Sequence, residues 1–151
     1  MSTEDQSLEV FQHGSVWVRA DFHLHTRKDK GFKYSGDEAR FVASYIEGLK
    51  QADIRVGVIT NHNKFDHDEF KVLQKQTRKE EIILLPGVEL SVKDGSHGVH
   101  VLVVFCDEWI HNQENMNYIQ SFIDVTFAGQ SNFENENARS NHDLLETIRE
   151  L

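Results

Sequence analysis

Short apolar runs recur along the first hundred residues of the chain and predict strands. The run VGVIT is continuous and rich in β-branched residues, which is typical of a strand buried on both faces. The dipeptide Pro86-Gly87 interrupts the run IILL, and the run VELSV then resumes a strand. The predicted strands are therefore 16–25, 56–60, 82–85 with its continuation, and 99–105.

Apolar residues at helical spacing lie between these runs. Ser35 predicts the N-cap of a first helix, whose apolar stripe runs from Phe41 to Leu49. Asp66 predicts the N-cap of a second helix. Because crossover helices return the chain in one direction, the first three strands are expected to be parallel neighbours. The pattern predicts an α/β fold.

The last third of the chain has weaker patterns. A helix ending near Gly129 fits the apolar residues that begin at Met116, and Ser140 is a candidate cap for a last helix. A polar loop rich in Asn and Glu separates these helices. The chain stops at Leu151 without a glycine or proline stop signal, which predicts either a piece of a longer protein or an end that frays.

Length and charge narrow the class of protein. The 151 residues suit one domain, which we place at 16–151 after a polar tail at 1–15. The net charge of −9 argues against a broad nucleic-acid surface, and the single cysteine excludes an internal disulfide and multi-cysteine zinc motifs. The first thirty residues hold no apolar run of signal-peptide or membrane-span length, so a cytoplasmic protein without a membrane partner is expected.

Histidine is the unusual component, at nine residues. His23 and His25 alternate along the first strand and so face the same way, at the carboxyl end where α/β folds bind ligands. His62 follows the second strand by two residues. Each of these features alone also fits ordinary surface histidines.

The hairpin after the third strand adds a carboxylate. A two-residue turn at Asp94-Gly95 would place Glu89 opposite His100. This pair is either exposed on a surface hairpin or buried, and a buried pair needs a partner such as a metal ion. Three strand ends together offer a candidate polynuclear metal site, consisting of His23, His25, His62, Glu89 and His100.

These motifs resemble the polymerase and histidinol phosphatase (PHP) superfamily over about residues 16–105. The matching pieces are HLHT, a strand ending in a histidine, PGVEL, and a histidine eleven residues after Glu89. The resemblance implies a distorted (β/α)7 barrel, incomplete in this chain, that carries more than one metal ion. It assigns metal ligation to the same five residues, with Glu89 as the bridging carboxylate, and makes Asp29 the candidate for a further ligand. Nitrogen and oxygen donors without thiolate favour divalent zinc, manganese or iron.

The function implied is a metal-dependent phosphoesterase that hydrolyses a phosphate ester with a metal-activated water. The substrate could be a nucleotide, a nucleic-acid end or a small ester. The closest resemblance is to PHP domains at the start of large P-loop ATPases, so an ATPase module in a longer chain is the implied partner. Asn61 stands where the family has Asp, and a late Asp-x-His motif is missing. A non-catalytic regulatory or scaffolding domain is therefore the alternative, and a metal-dependent amidohydrolase is a third.

The remaining features have structural interpretations. Trp17 is expected to pack in the core or at a sheet edge, and Cys106 to be a core thiol. The basic stretch 27–33 either contacts phosphate at the mouth of the site or forms a solvated loop. Four other histidines are expected to be solvated, namely His13, His67, His97 and His111.

Overall fold

A computed structural model describes residue 14 and residues 16–95, 98–107, 110 and 118–151. The described residues form one sheet whose strands follow chain order, namely β1 (Arg19–Leu24), β2 (Ile54–Ile59), β3 (Ile83–Val92) and β4 (Val99–Val104). They also form four helices, namely α1 (Phe41–Gln51), α2 (His67–Thr77), α3 (Tyr118–Thr126) and α4 (Leu144–Glu150). Short 3₁₀ turns precede α1 at Glu38–Arg40 and follow α2 at Arg78–Glu80.

The strand directions confirm the predicted topology. β1 pairs with β2 in parallel, and β2 pairs with β3 in parallel. The helices α1 and α2 make the two crossovers between these strands. β3 and β4 form an antiparallel hairpin. The carboxyl ends of β1, β2 and β3 therefore lie at the same edge of the sheet.

The predicted (β/α)7 barrel is wrong, because the described residues form a curled four-stranded sheet, a half-barrel. Closing a barrel requires each strand to have a neighbour on both sides. Among the described residues, β1 and β4 each have one, and β4 runs antiparallel where barrel strands of this type are parallel.

The larger of two apolar clusters joins the sheet to the first three helices. Leu90 of β3 is fully buried with Phe41 of α1, Leu73 of α2 and Ile123 of α3. The predicted apolar runs supply the sheet side of this core, because β2 and β3 are buried along nearly their whole length. The helices hold the sheet in place and leave the strand ends free to carry polar side chains.

The third strand is continuous, so the predicted interruption at Pro86-Gly87 is wrong. β3 changes partner there: its pairing with β2 ends at Pro86, and its pairing with β4 begins at Gly87. The Pro86 carbonyl accepts a hydrogen bond from the Phe105 N–H at 2.9 Å. A Cβ on Gly87 would lie 2.7 Å from Val58 Cγ1 and 2.8 Å from the Val103 carbonyl oxygen, so glycine alone fits.

The hairpin register also differs from the prediction. Glu89 faces Leu102, and His100 faces Ser91. The connection from Val92 to Val99 is longer than a two-residue turn, which moves the pairing by two residues. A shift of two residues keeps each side chain on its original face, so Glu89 and His100 remain diagonal neighbours on one face.

Smaller differences concern exposed residues and helix starts. Trp17 is 97% exposed and Cys106 is exposed, so the predicted core packing of both is wrong. Asp37, rather than Ser35, caps the turn before α1. None of the helices in the described ranges has the length and apolar character that a membrane span requires. Four residues named in the predictions lie outside the described ranges, namely His13, His97, His111 and Met116. Nearly all of the predicted tail 1–15 also lies outside them.

Candidate metal centre

Backbone hydrogen bonds extend the sheet beyond the end of β2 and align the polar residues there. The Thr60 N–H donates to the Leu24 carbonyl at 2.8 Å, and the Asn63 N–H donates to the Glu89 carbonyl at 2.8 Å. His62 consequently forms an isolated bridge with Glu89. The strand ends of β1 and β2 thus lie beside the middle of β3.

The Glu89 carboxylate is at the centre of the cluster, and its side chain is only 3% exposed. Its Oε2 atom lies 2.7 Å from His23 Nε2, 3.2 Å from His62 Nε2 and 3.4 Å from His25 Nε2. Its Oε1 atom lies 2.5 Å from His100 Nδ1. Four imidazoles therefore surround one buried carboxylate.

Asp29 is a second buried carboxylate in the cluster. Its Oδ2 atom lies 3.0 Å from His25 Nδ1 and 2.9 Å from His62 Nδ1, and it accepts the His62 backbone N–H at 2.6 Å. Its Oδ1 atom accepts the Gly31 N–H at 2.7 Å. The rings of His25 and His62 stack with centroids 4.7 Å apart. Each of these two rings therefore spans the gap between Asp29 and Glu89.

Hydrogen bonding keeps both carboxylates ionised. Burial alone would raise the pKa of Asp29, but hydrogen bonds from His25, from the His62 backbone and from Gly31 hold that pKa well below its usual range. Burial would likewise raise the pKa of Glu89, but hydrogen bonds from His23 and His100 lower it below its usual value. The cluster consequently carries negative charge that attracts cations.

The pKa of His25 moves in the opposite direction. Its hydrogen bond to Asp29 raises the pKa of the imidazole, and this outweighs the lowering effect of burial. The charges of Asp29 and Glu89 also raise it. His25 therefore holds a proton up to a higher pH than an ordinary histidine, and that proton compensates part of the negative charge in the cluster.

The donor atoms fit a metal ion. Among the described residues, three groups of side chains each offer ligand atoms within 4.8 Å of one another. Any two groups share one residue, because Glu89, His25 and His62 each belong to two of them. The groups are His23–His25–Glu89, His25–Asp29–His62 and His62–Glu89–His100. The histidine and acidic side chains are therefore positioned to hold a metal ion, with nitrogen and oxygen as ligand atoms.

The structure brings all five predicted residues into one cluster and adds Asp29. Although the predicted hairpin register is wrong, His100 still belongs to the cluster, because its ring contacts Glu89 from the diagonal position on the neighbouring strand. Asp29 lies in a tight loop in which its N–H donates to the Thr26 carbonyl at 2.9 Å. Its place four residues after His25 was the signal available in the sequence.

Asn61 is buried and holds two loops together. Its Oδ1 atom accepts the Thr26 N–H at 2.8 Å, and its Nδ2 atom donates to Thr26 Oγ1 at 3.0 Å. An amide can make both bonds in these roles, whereas a carboxylate can only accept. Asn61, at the position where the resemblance implies Asp, therefore has a structural role here.

Asn63 is a residue that the motifs did not reveal. It is buried in the left-handed backbone region with φ 51°, and its Nδ2 atom donates to the Phe133 and Asn135 carbonyls at 2.9 and 2.8 Å. Its Oδ1 atom accepts the Ser91 N–H at 3.1 Å. Asn63 thus fastens the Asn-rich loop to the strand that carries Glu89. The tolerance of Asn for positive φ was the only sequence signal.

Part of the basic stretch 27–33 forms contacts within the protein. Arg27 forms ion pairs with Glu69 at 2.7 Å and Glu38 at 2.5 Å, and its guanidinium lies 4.5 Å from the Phe41 ring centroid. Lys30 and Lys33 are exposed and form no ion pair within the described ranges. A contact between this stretch and a phosphate group stays a prediction, and Lys30 and Lys33 are the side chains that would make it.

Comparisons with models of protein families, with curated proteins and with solved structures found no match to this chain. The resemblance drawn from the motifs therefore stays a prediction.

Proposed function

We propose that this chain is a metal-dependent phosphoesterase domain related to the PHP superfamily. The observation that carries the proposal is the overlap of the three ligand groups, two of which share Glu89. A single structural ion needs one closed set of ligands, whereas overlapping sets that share residues suit several neighbouring ions. The proposed ions are divalent zinc, manganese or iron, because these accept imidazole and carboxylate ligands.

The six side chains divide into two kinds of role. Glu89 directs its two oxygens to different histidines, His23 and His100, which suits a carboxylate that bridges two ions. Asp29 holds the Nδ1 atoms of His25 and His62, which fixes both rings with their Nε2 atoms toward Glu89. Divalent ions bound in this cluster would lower the pKa of a coordinated water and neutralise charge on the phosphate oxygens.

Access from solvent favours a hydrolytic site over a structural one. The side chains of His23 and His100 are 49% and 41% exposed, whereas that of Glu89 is 3% exposed. The cluster is thus anchored on its buried side and open on the other. An open side is what catalytic metal sites keep for water and substrate.

The proposed substrate is a phosphate ester, such as a nucleotide, a nucleic-acid end or a small ester. An ATPase module in a longer chain is the proposed partner. A non-catalytic scaffolding role is the main alternative, and it was supported by Asn61 and by the missing late Asp-x-His motif. In the structure, both side-chain hydrogen bonds of Asn61 within the described ranges go to Thr26, so this residue gives no independent reason to expect an inactive site.

The test combines metal analysis with hydrolysis. The chain is loaded with zinc, manganese or iron, bound metal is counted by mass spectrometry, and release of phosphate from a panel of phosphomonoesters is measured. We expect more than one ion per chain and turnover with at least one metal. His25→Ala should reduce bound metal and abolish turnover, whereas His67→Ala, a partly exposed histidine outside the cluster, should change neither.

Circular dichroism is the control for folding. If His25→Ala unfolds, Glu89→Gln replaces it, because the amide keeps the shape of the side chain and removes its charge. A loaded chain that hydrolyses no phosphoester would favour the scaffolding role. Equal metal content in His25→Ala and the parent chain would contradict the proposed ligand set.

A further inference from the structure

A cavity of about 510 Å³ lies beside the metal centre, between β1 and α1. His23 and His25 form part of its wall, so the cavity borders the cluster. Its volume falls in the range of small-molecule sites. The two carboxylates of the metal centre, Glu89 and Asp29, do not line this cavity.

Aromatic rings line the cavity next to the histidines. The ring of Phe41 meets Tyr34 at 5.1 Å and 83°, and Phe32 at 6.5 Å and 84°. Tyr45 lies 5.5 Å from Phe41, and its hydroxyl donates to the His25 carbonyl at 3.0 Å. The aromatic wall is thus tied directly to a residue of the metal cluster.

Apolar side chains complete the lining of the cavity. Leu24, Leu49 and Ile54 are among them, and they pack together in a small apolar cluster. The two histidines and Asp21 add polar groups to the same lining. A ligand that fits this lining has a charged end at the metal centre and an apolar, planar body.

We propose that the cavity receives an aromatic ring of the substrate while its phosphate lies at the metal centre. The inference rests on the proposed function and narrows the substrate class to phosphate esters whose organic group carries a planar aromatic ring. Perpendicular aromatic walls accept such a ring by edge-to-face and stacking contacts. An aliphatic ester would leave these walls exposed to water.

Gly48 offers a way to close the cavity without disturbing the fold. It lines the cavity from within α1, and a Cβ at this position would meet nothing within 4 Å. Glycine is a poor helix former, so a larger residue here does not weaken the helix. Gly48→Phe would fill the cavity, and Gly48→Ala is the matched control that changes the helix but leaves the cavity open.

The first measurement compares kcat/KM for 1-naphthyl phosphate and glycerol 2-phosphate in the metal-loaded chain. For each ester, kcat/KM in a variant is divided by kcat/KM in the parent chain, so the different leaving groups of the two esters do not affect the comparison. Gly48→Phe should lower kcat/KM for the naphthyl ester by about tenfold or more, chiefly through KM. The value for glycerol 2-phosphate should stay within about twofold, as should both values in Gly48→Ala. Equal losses for both esters, or no loss for either, would overturn the inference.

The second measurement needs no turnover. Binding of 1-naphthylphosphonate to the metal-loaded chain is followed by calorimetry in the same three proteins. If no ester is hydrolysed but the phosphonate binds and Gly48→Phe abolishes that binding, the phosphoesterase proposal fails and the aromatic cavity stands. If esters are hydrolysed but Gly48→Phe changes neither selectivity nor phosphonate binding, the cavity inference fails alone. Absence of both hydrolysis and binding would overturn both.

Discussion

Asp29 and Glu89 are buried carboxylates, and a buried charge is costly unless it is paired. The imidazoles around them supply the pairing, with raised proton affinity on His25 and lowered pKa values on both acids. A metal ion would take over this compensation, because ligating histidines must be neutral. Protons and metal ions therefore compete for the same cluster.

This competition predicts that metal affinity falls as the pH is lowered. The pKa of His25 lies above the ordinary value for histidine, so a proton occupies it over more of the neutral range. Below that pKa, affinity should fall by about tenfold per pH unit for each proton that the metal displaces. Zinc titrations between pH 8 and pH 6 measure the effect, and an affinity independent of pH would contradict it.

Asp29→Asn provides the control for this effect. The amide removes the charge that raises the pKa of His25, so this pKa should move down toward the ordinary value for histidine. Nuclear magnetic resonance titration of the metal-free variant reports the pKa directly. An unchanged His25 pKa would show that Asp29 is not the cause.

At the scale of elements, the loop after α3 is part of the support of the site. The Ser140 N–H donates to the Ser91 carbonyl at 2.8 Å, and the Ser91 hydroxyl donates to the Glu136 carbonyl at 3.3 Å. Asn63 ties the same loop to the end of β2. A polar loop without apolar periodicity thus packs against the strand that carries Glu89.

Asn63→Ala should therefore destabilise the protein. The substitution leaves the buried Ser91 N–H without its side-chain partner, and one unsatisfied buried group typically costs about 1–3 kcal/mol. The Phe133 and Asn135 carbonyls each lose one hydrogen bond but keep backbone donors at 2.7 and 3.3 Å. Urea unfolding measures the loss. Asn132→Ala is the matched control, since Asn132 has a similar φ of 57° but is exposed, and its side chain makes no hydrogen bond within the described ranges. Equal losses in the two variants would point to backbone strain rather than to the hydrogen bonds.

The last helix, α4, has a strong local start signal but little packing against the core. Asp143 and Glu146 form a complete capping box, so α4 begins there rather than at the predicted Ser140. Its apolar residues remain outside the core, with Leu145 64% and Ile148 56% exposed. The cap defines where the helix starts, but nothing in the described ranges covers its apolar face.

Across the whole molecule, the cluster connects parts of the chain that are distant in sequence. Its side chains come from β1, from the loops after β1 and β2, and from both strands of the hairpin. A metal ion bound by them would cross-link the sheet in the folded state only. Metal binding should consequently raise the stability of the entire domain.

The expected stabilisation is about 2.7 kcal/mol when free metal exceeds its dissociation constant 100-fold. Thermal unfolding with added zinc or manganese, against unfolding with a chelator, measures it as a shift in Tm. His25→Ala should lose most of this shift and His67→Ala should keep it. A Tm that metal leaves unchanged in the parent chain would count against a metal site.

Much of the local structure and of the candidate site was predictable. The parallel order of the first three strands follows from their apolar runs and the helices between them. His23, His25 and His62 were found because they sit at strand ends, which share one edge of a parallel sheet. Asp29 and Asn63 depend on loop conformations that apolar periodicity does not describe.

The sequence by itself determined where most elements lie, because the periodicity of strands and helices is a local property. It also determined which side chains could meet, because the carboxyl ends of parallel strands share one edge of a sheet. Only the tertiary structure decided the hairpin register, the continuous path of β3 through Pro86-Gly87, and the open half-barrel. Register depends on the length of the connecting loop, and closure depends on the partners that each sheet edge finds. The aromatic cavity likewise exists only in the folded chain, because its lining combines β1 residues with side chains of α1 and of the loop before it.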